Sequence, residues 1–348
     1  MWSFLSSFLL ASLITPLIIL LYRKNNWLDD PKTNQHAKKT HLRAVPRGGG
    51  LVIFLATFLS AAFILDFDKY LLAIFLGASL LTIVGVIDDV LDLSPYFRLL
   101  TGLLASLIVV GAGIGIAYIS NPFGEGVIHL NQPQLVFNLF GENRSLWLLS
   151  STFAIFFILW NMNIINWAKG MDGQLPGFVA VSCLFIALLA NRFADAPTQF
   201  NVANLALIVA GAFTGFLLWN FYPQKIMPGY GAGSLAGYFL SVLAILSGAK
   251  VATTLMVLAI PTADGLFTIA RRLLAGKSPF WGDRGHLHHK LMDYYGWGKR
   301  RIAIFYIISS ATLGILSLYL STTGKIIAIL TTTFIVFAFL IYSKLRQK

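Results

Sequence analysis

Charge is what this sequence has least of. Only 11% of its 348 residues are Asp, Glu, Lys or Arg, and 57% are hydrophobic. Soluble domains carry about 25% charged residues, so a soluble globular protein is excluded. Cysteine is nearly absent. The single Cys183 lies inside an apolar run, so no intrachain disulfide can form. Acids are outnumbered, 14 against 26 Lys and Arg, which gives a net charge of +12 and a pI near 9.8. In a polytopic membrane protein that excess reflects basic loops and attraction to anionic lipid, so no nucleic-acid partner is expected. There is no obvious repeat, no low-complexity tract and no soluble domain. The first segment, WSFLSSFLLASLITPLIILLY, lacks a basic leader and a small-residue cleavage site, and reads as a retained membrane helix.

What is present is a succession of apolar runs near the length a bilayer requires, about 20 residues for about 30 Å. Helices are expected near 3–22, 48–65, 70–87, 98–120, 147–167, 175–191, 202–220, 233–247, 250–272, 302–321 and 325–344. The fold class is therefore all-α, a single integral membrane domain over 1–348 with about 11 transmembrane helices. Loop 121–146 alternates enough for a short hairpin. Of the 26 Lys and Arg, only Lys69, Arg144, Arg192, Lys250 and Lys325 fall on one side if the N-terminus is outside. The C-terminus is then cytosolic. The same topology puts Asp88, Asp89, Asp92, Asp172, Asp264, Asp283, Asp293 and every histidine but His129 on the cytosolic side, so any chemistry faces the cytosol.

The stretch VGVIDDVLDLSP ends an apolar run in three acids. Asp88 and Asp92 are i and i+4, Asp89 and Asp92 are i and i+3, so like charges crowd one helix face. They also sit at a helix C-terminus, where the macrodipole disfavours anions. A cation is expected beside them, either Mg²⁺, as hard oxygen ligands favour, or a plain ion pair with Arg98 at a solvated boundary. NMNIINWAKGMDGQLPG, 161–177, spaces Asn163, Asn166, Lys169 and Asp172 at i, i+3, near one face; a polar helix-breaking loop is the alternative. Asp264 lies inside a span behind Pro261 and needs a partner; Arg271 and Arg272 are the nearest basic residues along the chain. WGDRGHLHHKL, 281–291, holds Arg284, His286, His288 and His289. With no cysteine or spaced acid to complete a zinc set, anion binding fits better. QHAKKTHLRAVPRGGG supplies Lys38, Lys39, His41, Arg43 and Arg47, which for Lys38 and Arg43 reads best as a positive flank. KIMPGYGAGS, 225–234, is a weak phosphate-loop signal.

Taken in order, KKTHLRAVPRGGG, DDVLD, NIINWAKGMDG and PTADGLFTIARRLLAGKSPFWGDRGHLHH resemble the polyprenyl-phosphate N-acetylhexosamine-1-phosphate transferases over nearly the whole chain. The GHLHH form is similar to the GlcNAc-1-phosphate branch. The resemblance implies transfer of an amino-sugar 1-phosphate from a UDP-sugar to undecaprenyl phosphate at the cytosolic membrane face, with release of UMP and help from Mg²⁺, or Mn²⁺ in its place. It implies Asp88, Asp89 and Asp264 as catalytic residues. Lys39, His41, Asn163, Asn166, Lys169, Asp172, Arg284, His286, His288 and His289 would bind substrate, and Asp88, Asp89 and Asp172 the metal. A homodimer in the plasma membrane is expected by the same analogy.

Two positions depart from the family pattern. Lys169 stands where the family usually has Asp. Tyr230, in MPGYGAGS, stands where the family has a metal-binding Asp. The expectation is that Lys169 acts as a fixed cation beside the diphosphate; the alternatives are metal binding by the remaining acids, or lost activity. A transporter or flippase of lipid-linked glycans is the reading from another class, since broken helices suit transporters. It needs polar groups open to both faces, whereas the ionisable residues here gather on one.

Overall fold

The computed structural model describes residues 1–32, 40–121, 124, 126–139, 142–191, 197–247, 251–279 and 281–346. Its helices are α1 (Trp2–Lys24), α2 (Gly49–Ile64), α3 (Lys69–Leu91), α4 (Pro95–Gly111), α5 (Leu148–Trp167), α6 (Gln174–Asn191), α7 (Pro197–Asn220), α8 (Gly229–Leu246), α9 (Val251–Val257), α10 (Ala259–Leu274), α11 (Leu287–Tyr295), α12 (Lys299–Tyr319) and α13 (Thr322–Leu345). Three two-stranded antiparallel ribbons join them: β1 (Leu28–Asp29) with β2 (Val45–Pro46), β3 (Tyr118–Ser120) with β4 (Val127–His129), and β5 (Gln134–Leu139) with β6 (Glu142–Trp147). The chain is an all-α multi-pass membrane protein.

Among the described residues, eight helices are long and apolar enough to cross a bilayer, and nine if α9 and α10 form one span bent by 78°. The sequence had promised about eleven. The difference lies in α2 and α4, which are 16 and 17 residues long. At about 1.5 Å per residue they reach roughly 25 Å, short of a bilayer core of about 30 Å. The expected 98–120 helix stops at Gly111 because Gly113, at φ +101°, turns the chain toward β3. The expected 250–272 helix is two helices because Pro261 cannot donate to the carbonyl of Val257, and its ring crowds that carbonyl, so the break falls at Leu258. Loop 121–146 contains the hairpin, in the register Gln134↔Trp147 to Leu139↔Glu142. The long loop 273–301 conceals α11, which buries Leu287 and Leu291 one turn apart and ends on Gly296 at φ +65°.

Helix α8 is the hub, 94% buried and packed on α2, α3 and α5. Small residues make this possible. A Cβ on Gly231 would press on the backbone of Gly50 and Gly85, and one on Gly237 would strike the backbone of Asn161 and Met162. Backbones approach this closely only across glycine, which is how helices gain dispersion contact where lipid supplies no hydrophobic drive. The consequence for the site is geometric. The α8 N-terminus meets the start of α2 and the C-terminal ends of α3 and α5. The β1–β2 ribbon pairs Leu28↔Pro46 and Asp29↔Val45, and Met227 N–H donates to Pro46 O at 2.7 Å. This pins the segment before α2 over that end of the bundle.

Candidate active site

The α3–α4 corner is written locally. Asp92 ends α3 at φ +48°, a left-handed conformation that Asp tolerates better than most residues. Ser94 then caps α4, accepting from Phe97 N–H at 3.3 Å, with Pro95 in the first turn. The reversal carries Arg98 back over α3. Its Nε donates to Asp88 Oδ1 at 2.6 Å and its Nη2 to Asp92 Oδ1 at 2.7 Å, while Leu93 N–H donates to Asp88 Oδ1 at 3.1 Å. Arg47 approaches the same acids, 3.7 Å from Asp88 Oδ2, 4.0 Å from Asp89 Oδ1 and 3.9 Å from Asp92 Oδ1. Tyr22 donates its hydroxyl to Asp89 Oδ2 at 3.2 Å. The cation the three acids call for is thus guanidinium, twice. Asp88 Oδ2 and Asp89 Oδ1 are buried with no hydrogen-bond donor among the described residues.

The end of α5 faces them. Asn163 donates to Leu159 O at 2.8 Å, and the buried Asn166 Oδ1, pressed against Gly233, has no partner among the described residues. Just beyond the helix, Lys169 Nζ donates to Gly229 O at 2.6 Å. Burial, with Arg47 and Arg98 nearby, lowers its pKa to about 7. Gly229 sits at φ +66° with no room for a Cβ between Arg47 O and the Asp89 carboxylate.

The third contribution is the histidine segment. His286 Nδ1 donates to Asp264 Oδ2 at 2.9 Å, and Leu287 N–H donates to Asp264 Oδ1 at 2.8 Å. Burial works against charge on His286, but the Asp264 carboxylate outweighs it and raises the pKa above 6.5. His288 stacks on His286 at 5.6 Å and 4°. Burial and its histidine neighbours push His288 well below its ordinary value. Burial, then Arg284 and His286, bring His289 to about 4. Of the trio, His286 alone has surroundings that favour its charged form.

These groups enclose one cavity of about 430 Å³. His41, Arg47, Asp89, Arg98, Asn163, Asn166, Lys169, Tyr230, Asp283, His286, His288 and His289 all line it. Asp88 lies directly beneath, 0% exposed, held by Arg98. The floor is a pair of carboxylates, the walls carry fixed cations and amides, and the mouth opens at one end of the bundle.

Glycosyl transferase family 4 matches residues 71–248. The chain belongs to that family. A probable undecaprenyl-phosphate N-acetylglucosaminyl 1-phosphate transferase of Bacillus subtilis is 27% identical over 316 residues, covering 88% of this chain and 81% of that protein. The undecaprenyl-phosphate alpha-N-acetylglucosaminyl 1-phosphate transferase of Thermotoga maritima is 26% identical over 321 residues, covering 90% and 89%. The phospho-N-acetylmuramoyl-pentapeptide-transferase of Latilactobacillus sakei is 30% identical over 324 residues, covering 88% and 95%.

Within this family 4 chain, three expected site residues lie elsewhere. Asp172 is buried and engaged, its Oδ1 3.0 Å from Lys299 Nζ and its Oδ2 accepting from Gln224 N–H at 3.2 Å. It does not line the cavity. Arg284 makes a two-pronged pair with Asp293, both bonds 2.7 Å, and is also outside the lining. Asp264 sits behind His286 rather than in the cavity, and its partner is that histidine, not Arg271 or Arg272. Those two arginines clasp Asp283, at 2.7–2.8 Å. Burial alone would raise the Asp283 carboxyl, but the guanidiniums outweigh it and hold it at about 2. Lys39 lies outside the described residues.

The donor set also disagrees with the expected Mg²⁺. Among the described residues, no group of three or more His, Cys, Asp or Glu is placed to hold a metal ion. The proposed triad of Asp88, Asp89 and Asp172 is not assembled. The two unpartnered carboxylate oxygens already lie within 4.0 Å of Arg47. A dication bound there would have to share those oxygens with the Arg47 guanidinium. The residues present do not fit the ion.

Sequence reasoning left Tyr22 out and named Arg47 in the basic stretch before α2 without assigning it a role in the site. No local signal marks Tyr22, which reaches Asp89 from 67 positions away. Arg98 was legible as the ion-pair alternative, because a Ser-Pro cap one turn earlier fixes its helix face.

Proposed function

We propose that this chain transfers an N-acetylhexosamine 1-phosphate, GlcNAc-1-phosphate in the first instance, from a UDP-sugar to a polyprenyl phosphate, releasing UMP. The reading rests on family membership. The observation that carries it is the one-ended cavity, which sets buried carboxylate oxygens against Arg47, Arg98 and Lys169. The phosphate of the lipid attacks the β-phosphorus of the donor. One P–O bond forms there as the bond to the bridging oxygen breaks, and UMP departs with the bonding pair. Asp89, with Oδ1 free, takes a proton from the lipid phosphate or orients it. Arg47, Arg98 and Lys169 offset the repulsion of the converging anions and stabilise charge on the leaving phosphate. His286, whose charged form the Asp264 carboxylate favours, adds a donor on the opposite wall. Asn163 and Asn166 offer amides to the sugar or the base. Enclosure of both substrates supplies proximity.

The bias of Lys and Arg toward this end of the bundle supports a cytosolic mouth, an outside N-terminus and residence in the plasma membrane. The test is direct. Purified protein with undecaprenyl phosphate is offered UDP-GlcNAc and other UDP-amino sugars. Stoichiometric UMP and a lipid-linked sugar pyrophosphate are the expected products. Failure to form a lipid product from every donor overturns the reading.

A further inference from the structure

We infer that Lys169, with Arg47 and Arg98, takes the place of a divalent cation, so that the sugar-nucleotide diphosphate is bound and turned over with metal chelated. The inference rests on the transfer reading for the identity of its ligand and goes beyond it in assigning the charge. Four observations lead to it.

Lys169 is a half-buried ammonium in the cavity wall with a neutral partner, the Gly229 carbonyl. An ammonium has three N–H donors. One is used at 2.6 Å, which leaves two for a ligand. Second, Arg98 and Arg47 already occupy the Asp88, Asp89 and Asp92 carboxylates. Lys169 adds a third cationic group at the same end of the cavity, which suits a diphosphate. Third, Asp172 is bound to Lys299. Fourth, Tyr230 fills the remaining wall position with a phenol whose hydroxyl donates to Arg98 O at 2.9 Å, its ring 5.5 Å from the guanidinium. This residue holds the Arg98 turn in place and offers no anionic oxygen. Each feature removes a metal ligand or adds a cation, and all converge on one cavity.

The experiment is calorimetric titration of the full-length protein in detergent with UDP-GlcNAc and with UDP, in EDTA and in excess Mg²⁺. The dissociation constant is expected to agree within about threefold between the two conditions. Lys169→Met is expected to weaken binding in EDTA by at least about tenfold, the worth of one charged hydrogen bond. Lys169→Arg, which keeps the charge and guards against a folding artefact, is expected to retain affinity. Binding that appears only with Mg²⁺, or a Lys169→Met protein with unchanged affinity in EDTA, overturns the inference. Transfer is read separately. Product formed only with Mg²⁺ sinks the metal-free assignment and leaves the transfer reading standing. Tight metal-free binding without product under any condition does the reverse.

Discussion

The lysine at 169 predicts a specific coupling between donor binding and pH. In the empty site burial, Arg47 and Arg98 hold its pKa at about 7, against an ordinary value of about 10.4. A diphosphate beside it favours the charged form and raises that pKa again. Binding therefore takes up a proton wherever the free protein has lost one. With a pKa of about 7, the uptake is about half a proton at pH 7 and about nine-tenths at pH 8. The apparent dissociation constant then rises about fivefold from pH 7 to pH 8 and about tenfold more by pH 9, and is flat below pH 6. UDP-GlcNAc suits the test because its diphosphate is a diester with no ionisation in that range. Titrations at pH 8 in buffers of different ionisation enthalpy give the proton count directly. Lys169→Arg abolishes the uptake while keeping affinity, and Lys169→Met abolishes the uptake and weakens binding. His286 also titrates, above 6.5, but survives in both variants and so is subtracted by them. Equal pH slopes for wild type and Lys169→Arg would refute the reasoning. For stability the sign is opposite to that of a favourably paired lysine. The unfolded chain binds the proton more tightly, so the unliganded protein gains stability as pH rises from 7 toward 10.5. The full shift is on the order of 5 kcal/mol, and Lys169→Met should raise the melting temperature most below pH 7.

Other consequences follow from the same geometry. Arg98→Met leaves Asp88, at 0% exposure, without its 2.6 Å partner. Loss of about 3–5 kcal/mol is expected, with partial recovery in the Asp88→Asn, Arg98→Met double variant; strict additivity in thermal unfolding would refute the coupling. Asp264→Asn removes the carboxylate that raises His286, so activity at pH 7 to 8 should fall and its alkaline limb should move to lower pH; an unmoved pH–rate profile contradicts this. Arg284→Ala should change transfer by less than about threefold, because the side chain is spent on Asp293 outside the cavity. Gly237→Ala forces a methyl into the backbone of Asn161 and Met162. It should cost about 1–3 kcal/mol or more by overpacking, read as a lower melting temperature in detergent.

The legible part of this protein was the part governed by local composition. Apolar runs of bilayer length gave most of the spans, because transfer from water depends on residue content and not on partners. The count fell short at α2 and α4, which are too short to cross, and backbone chemistry at Gly113 and Pro261 ended one expected helix early and bent another. The acids of α3 announced a need for positive charge through their spacing alone, and Asp92, Ser94 and Pro95 encode the corner that satisfies it within ten residues. Beyond that range, the residue types that mark a site are also the types that make ion pairs. Asp172, Arg284 and Asp264 looked equivalent to Asp89 and His286 until their partners were known.

The sequence by itself therefore determined that the chain lives in a bilayer, which end of it is basic, and which residues carry charge worth explaining. Tertiary structure alone decided which of those charges are spent. Lys299 reaches Asp172 across 127 positions and Lys169 reaches the Gly229 carbonyl across 60. Pairings of that span depend on where α8, α5 and α12 cross, and helix crossings are set by glycine contacts between backbones that no local pattern encodes.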